Sequence, residues 1–129
     1  MNYGKPNHLG GGTQADVDTT ELDVFELDDG ELLTDSQLSI YWEVARGTHT
    51  TLEIRYYCRF QEEGDWFELP YRNDGTGELS SVPSEVVTAT PLTFVDSLPL
   101  PACVAFKATI KGAGGANGVA TANAMGRDN

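Results

Sequence analysis

Leu38-Ser39-Ile40-Tyr41-Trp42-Glu43-Val44-Ala45 and, after a break at Arg46-Gly47-Thr48, Leu52-Glu53-Ile54-Arg55-Tyr56-Tyr57-Cys58-Arg59-Phe60 decide the fold class. In both stretches an apolar or aromatic residue falls at every even position. A period of two puts successive side chains on opposite faces of an extended chain, so each stretch reads as a half-buried strand and not as a helix. Trp42 and Leu52 both belong to the apolar face. If the two strands form a hairpin, paired positions must therefore share parity. Pairing Trp42 with Ile54 would set Glu43 against Glu53, a like-charge pair, whereas pairing Trp42 with Leu52 sets Glu43 against Thr51. The sequence thus predicts a hairpin in the second register, with a three-residue loop at 46–48.

Outward from this pair the same pattern recurs. Leu22–Leu27 is a short strand that ends at the turn signal Asp28-Asp29-Gly30. Trp66–Leu69 is another, stopped by Pro70. Residues 72–84 read as a loop, Glu85–Thr90 as a β-branched strand, and Leu92–Val95 as a resumption of it before Pro99 and Pro101. Ala102–Lys111 is a strong strand, with Val104, Phe106, Ala108 and Ile110 on one side and Cys103, Lys107, Thr109 and Lys111 on the other. A Gly-rich connection leads to a last strand of small residues, Val119–Met125. Seven or eight short strands without a helical segment predict an all-β fold, an antiparallel β-sandwich or jelly-roll-like domain over residues 21–129. Trp42, Ile54, Tyr56, Phe106 and Ile110 are the expected core. The first twenty residues differ in kind. They hold Pro6 and the run Gly10-Gly11-Gly12, with little apolar content, and predict an extended N-terminal arm over residues 1–20.

Composition narrows the function. The chain has 129 residues, enough for one domain with a real core, and 40% are apolar, too many for a disordered acidic tail. The net charge of −12 argues against a nucleic-acid partner, which would need clustered Lys and Arg. Apolar runs are too short to cross a membrane as a helix. Lys5 is the only Lys or Arg before Arg46, so no secretory leader is expected. Two cysteines are too few for a disulfide scaffold or a four-thiolate zinc site.

Few residues of the chain form a pattern that carries chemistry. There is no Gly-x-Ser-x-Gly elbow and no phosphate-loop lysine, and Gly10-Gly11-Gly12 is neither preceded by a strand nor followed by a helix, so it reads as a linker. His8 and His49 have no second ligand at zinc spacing and read as solvated or locally hydrogen-bonded. Cys58 falls on an apolar face and reads as a buried free thiol, with Cys103 assigned to an opposite face. Asp16-Val17-Asp18 lacks the Gly and closing Glu of an EF-hand. Asn73-Asp74-Gly75-Thr76-Gly77-Glu78 could offer oxygens to calcium but reads as a turn. Glu62, Glu63, Asp65 and Glu68 sit in and beside a tight turn, where adjacent acids face water instead of opposing each other across a cleft. No enzyme activity, cofactor or metal is therefore expected. Tyr41 and Tyr57 point away from the Trp42 core with Arg55 and Arg59 nearby. Tyr and Arg are enriched at protein interfaces, and the same rings could stack on sugars.

The stretch Thr51–Pro70, a strand followed by Glu62-Glu63-Gly64-Asp65 and then Trp66-Phe67-Glu68-Leu69-Pro70, is similar to small β-sandwich structural proteins of tailed bacteriophages. The strand Ala102–Lys111, the glycine-rich turn and the small-residue last strand share that style. The resemblance implies a virion component of the capsid-decoration, head-completion or tail-associated type, made in the bacterial host cytoplasm. Its partners would be the major capsid or another virion protein and further copies of itself, in a homo-oligomer or lattice. Tyr3, Lys5 and Leu9 of the arm, with Tyr41, Arg55, Tyr57 and Arg59, are the expected interface. The alternative is a carbohydrate-binding β-sandwich module that uses exposed aromatics.

Overall fold

In a computed structural model the described residues are 6–28, 37–69, 71–72, 79–80, 85–87, 92–99 and 103–127. They form strands β1 Pro6–Val17, β2 Leu22–Leu27, β3 Gln37–Ala45, β4 Thr51–Arg59, β5 Trp66–Glu68, β6 Tyr71–Arg72, β7 Leu79–Ser80, β8 Glu85–Val87, β9 Leu92–Pro99, β10 Ala105–Ala113 and β11 Gly118–Arg127. There is no helix among the described residues. Sheet A runs β1-β11-β3-β9; sheet B runs β2-β10-β4-β5, with β8 also paired to β4. Every pairing is antiparallel, and β6 and β7 make a separate two-stranded ribbon where residues 72–84 were expected to be a loop. The protein is a β-sandwich.

The core lies between the sheets and follows the period of two. Leu38, Ile40, Trp42 and Val44 from sheet A face Leu52, Ile54, Tyr56 and Cys58 from sheet B, all buried, with Phe106, Ala108 and Ile110 alongside them. Ala120, Ala122 and Ala124 of β11 are buried beside Val44, Trp42 and Ile40, their cross-strand neighbours on the inner face of sheet A, where small side chains leave room for the indole. One polar chain crosses the core. Trp42 Nε1 donates to the Tyr56 hydroxyl at 3.0 Å, and that hydroxyl donates to Asp96 Oδ2 on β9. The polar edge of each large aromatic is thus satisfied where it is buried. A bulge between Ala108 and Thr109 lets two consecutive residues of β2, Val24 and Phe25, both turn inward.

Two expectations are corrected here. The strands over 38–45 and 52–60 do not form a hairpin: β3 pairs with β11 and β9 in sheet A, and β4 pairs with β10, β5 and β8 in sheet B. The connection between them crosses from one sheet to the other. Trp42 and Leu52 still both face inward, because residues on facing sheets share the core just as residues on one hairpin face would. The expected arm over residues 1–20 is instead, from Pro6 to Val17, an edge strand of sheet A paired along β11. Its glycines serve close approach and not slackness. A Cβ on Gly11 would stand 2.2 Å from the Ala122 carbonyl oxygen, and one on Gly12 2.3 Å from that of Val24.

Candidate interaction faces

The outer face of sheet B comes from the odd positions of β4 and their cross-strand partners. One row runs Glu26, Lys107, Tyr57, Glu68; the next runs Asp23, Thr109, Arg55. Opposite charges meet across strands: Lys107 lies 3.3 Å from Asp23, and Arg55 lies 3.2 Å from Glu68 and 3.6 Å from Glu53. Trp66 of β5 carries two cations, with the Arg59 guanidinium and the Lys107 ammonium each 4.8 Å from its ring, and Lys107 also sits 5.5 Å from the Tyr57 ring. Glu21, just before β2, accepts hydrogen bonds from Thr109 Oγ1 at 2.6 Å and from the Tyr57 hydroxyl. Burial pushes the Glu21 carboxyl up, but those two hydrogen bonds and the charges of Arg55 and Lys107 outweigh it and hold its pKa below the usual Glu value. Burial, and then the hydrogen bond and charge of Glu21, push the Tyr57 phenol up to about 12. Burial works against the Arg55 charge, yet Glu68 first and then Tyr57, Glu21 and Glu53 hold its pKa above the usual value.

The outer face of sheet A has another chemistry. Its rows run Gly11, Asn123, Tyr41, Val95 and Thr13, Thr121, Glu43, Thr93. Thr13 and Thr121 share a hydroxyl hydrogen bond at 3.0 Å, and His8 Nε2 lies 3.3 Å from Asn123 Oδ1. Tyr41 is 39% exposed and Val95 58%. Across these two rows Glu43 is the one charged side chain.

The expected interface residues are therefore divided. Tyr41 stands on the outer face of sheet A, and Arg55, Tyr57 and Arg59 on that of sheet B, so the sandwich separates what a hairpin would have joined. Leu9 packs against the edge of the core. Tyr3 and Lys5 lie outside the described residues, as does the turn Asn73–Glu78. Trp66 and Glu21 complete the sheet B face; only the lone Trp after an acidic turn hinted at the first, and nothing local marked the second.

The remaining candidates have structural surroundings. His49 is not solvated: it is 3% exposed, and its Nε2–H donates to the Val17 carbonyl at 2.6 Å, 32 positions away. The other ring nitrogen, Nδ1, is buried with no hydrogen-bond partner among the described residues. The ring fills the place of a missing side chain, since a Cβ on Gly112 would come within 2.2 Å of it. Around it the Gly112 amide donates to Asp18 O, the Thr50 amide to Ala113 O and the Thr48 amide to Ala116 O. These bonds tie together the three places where the chain crosses between sheets at this end. Cys58 and Cys103 are free thiols; burial first, and then the neighbouring Cys103, push the Cys58 thiol up. The expected opposite faces fail because Cys103 precedes β10, so the alternation of that strand does not reach it. Asp18 Oδ1 accepts from the Thr20 amide at 2.8 Å in the turn to β2. No group of three or more His, Cys, Asp and Glu among the described residues is placed to hold a metal ion. No helix among them is long and apolar enough to cross a membrane.

What this geometry defines is a class of fold, a two-sheet antiparallel sandwich with one charged and one neutral outer face. No known protein-family model matches the chain, and no curated protein matches it. Among solved structures it is similar to the SPBc2 prophage-derived protein YomS, at 16% identity and TM-score 0.46, covering 98% of this chain and 97% of that one. It is also similar to a Bacillus endospore appendage protein from a family of disulfide-linked pili, at 9% identity and TM-score 0.49, over 99% and 94% of the two chains. A third is VP2 of infectious bursal disease virus in a subviral particle, at 13% identity and TM-score 0.46, where 95% of this chain spans 32% of that one. At these identities and scores the fold rests on the sheets described above.

Proposed function

We propose that the protein is a non-enzymatic structural component of a tailed-phage virion, which attaches to a capsid or tail protein lattice and to copies of itself through protein–protein contacts. The observation that carries this reading is the outer face of sheet A, where Glu43 is the one charge in two rows, on a chain of net charge −12. Acidic copies, or an acidic copy and a shell of similar charge, repel one another unless the apposed surfaces are uncharged. Interface cores are depleted in charge and enriched in aromatics, and the row Asn123, Tyr41, Val95 has that composition. The phage-like pattern over Thr51–Pro70 supports the same setting, with synthesis in the host cytoplasm. The overall acidity favours a position away from packaged DNA, with neither nucleic acid nor membrane as partner. The sugar-binding alternative is weakened on the sheet B face, because Trp66 and Tyr57 already carry cations on their rings.

The test is sedimentation of the purified chain alone and mixed with phage capsids or tails from its source. Co-sedimentation with particles or tails, lost when Tyr41 is replaced by Asp, is the expected result. A chain that stays monomeric, joins no particle and instead binds a glycan on an array would overturn the reading.

A further inference from the structure

The turn between β4 and β5 breaks the pattern of the core. Phe60 and Phe67 lie on the inward side of sheet B, since Phe67 opposes the buried Cys58, yet they are 46% and 57% exposed. The cover supplied by sheet A ends before it reaches them. Their rings are 6.0 Å apart and inclined at 49°. With Gln61, Glu63, Gly64 and Asp65 they line an open cavity of about 390 Å³. The turn that shapes it is tied by a hydrogen bond from the Gly64 amide to the Gln61 carbonyl at 3.0 Å, with Glu63 in the left-handed region at φ 59°. Residues 60–67 hold three acids, Glu62, Glu63 and Asp65, and no base.

We propose that this pocket receives an Arg or Lys side chain, flanked by an apolar residue, from a segment of a partner protein. The proposal rests on the reading of the chain as an assembly component and names the chemistry that its partner presents there. Aromatic faces are electronegative and attract a cation placed over them. The methylene stem of Arg or Lys suits the ring walls while its charged head meets the carboxylates at the rim. A purely apolar segment would strip water from Glu63 and Asp65 and return nothing for it. An acidic segment would be repelled.

The test uses the full chain and the peptide acetyl-Gly-Leu-Arg-Leu-Gly-amide, with Gln or Glu in place of its Arg as controls, read by backbone amide shifts. Binding should perturb residues 60–67, favour the Arg peptide over the Glu peptide at least tenfold, and weaken as salt rises. Phe67→Ala, at an exposed position, should reduce binding at least tenfold. Glu63→Gly relieves the left-handed backbone and should keep or raise the thermal midpoint, yet weaken binding at least threefold. Equal binding of the three peptides, shifts confined to another surface, or full binding by Phe67→Ala would overturn the proposal. Attachment to particles separates the two readings. If Phe67→Ala attaches as well as the native chain, the pocket is not the partner's site and the assembly reading stands. If the native chain attaches to nothing while the peptide results hold, the assembly reading falls and the cation pocket stands.

Discussion

The two outer faces of this sandwich are built on the same alternating backbone and do opposite things with it. Sheet B spends its outward positions on charges that answer each other across strands: Asp23 with Lys107, Glu53 and Glu68 with Arg55, and two cations on Trp66. Its partners are already within the chain. Sheet A spends its outward positions on Thr, Asn, Tyr and Val, with Glu43 the lone charge in its two central rows. A face whose charges are internally matched offers a newcomer little, because each ion pair must be broken or dehydrated to make a new contact. A neutral face sheds its water at small cost. The contrast teaches that on a strongly acidic protein the informative surface is the one with the fewest charges.

The largest effect to expect tests the premise that one rigid core holds both faces. Trp42→Ala removes the indole that bridges to Tyr56 and should cost about 3–5 kcal/mol in chemical denaturation. A loss below about 1 kcal/mol would mean that the two sheets do not depend on a shared core. Next comes a charge placed in the middle of the neutral face. Thr121→Asp, in the row with Glu43, should weaken association at least tenfold, about 1.4 kcal/mol, while folding stability moves by less than about 1 kcal/mol. Lys107→Glu on the other face should do the reverse, lowering stability and leaving association unchanged; if it alone abolishes association, the roles of the faces are exchanged. Trp66→Ala strips the platform beneath Arg59 and Lys107 and should cost about 1 kcal/mol of stability, with no change in sedimentation of the assembly.

The smallest effect is in the pH dependence of sheet B. The Glu21 pKa is held below its ordinary value of 4.5, so its contribution is present above that pH and is lost as pH falls through the lowered value. The Tyr57 phenol is raised from 10.0 to about 12, so its contribution is whole below pH 10 and disappears as pH rises from 10 to about 12. Denaturation midpoints should therefore decline at both extremes, and Tyr57→Phe should reduce the alkaline decline, leaving the part that the buried Cys58 thiol contributes. An alkaline decline unchanged in Tyr57→Phe would show that the Tyr57–Glu21 contact contributes nothing to this face.

Most strands were legible because half-buried strands write their burial into alternate letters, and β4 does so without a break from Leu52 to Cys58. The partners of those strands were not. Parity says which side chains face the core, but a strand pair on one sheet and a crossing between facing sheets satisfy parity equally, so β3 and β4 were joined wrongly. Strand β1 escaped notice for a different reason. Its glycines carry no side chains to alternate, and what holds it is the ladder to β11, more than a hundred residues away. The Phe60–Phe67 pocket was hidden because the alternation of β4 marks Phe60 as inward and the short strand at 66–69 has too few letters to place Phe67, whereas both rings are exposed.

The places of β10 and β11 bear on how the chain is made. Each is the interior strand that joins its sheet, β10 between β2 and β4, and β11 between β1 and β3. Both come late in the chain. At a synthesis rate of roughly 5–20 residues per second, β1 and β2 wait seconds on the ribosome with their edges open before a partner is translated. Among the described strands, β3 with β9, β4 with β5 and β8, and β6 with β7 can pair in the meantime. A ribosome that stalls before Ala105 releases two incomplete sheets with a shared apolar interior and unpaired strands on either side. Open edges of this kind favour chaperone binding or aggregation, so the yield of folded protein should depend on how quickly residues 105–127 follow the rest.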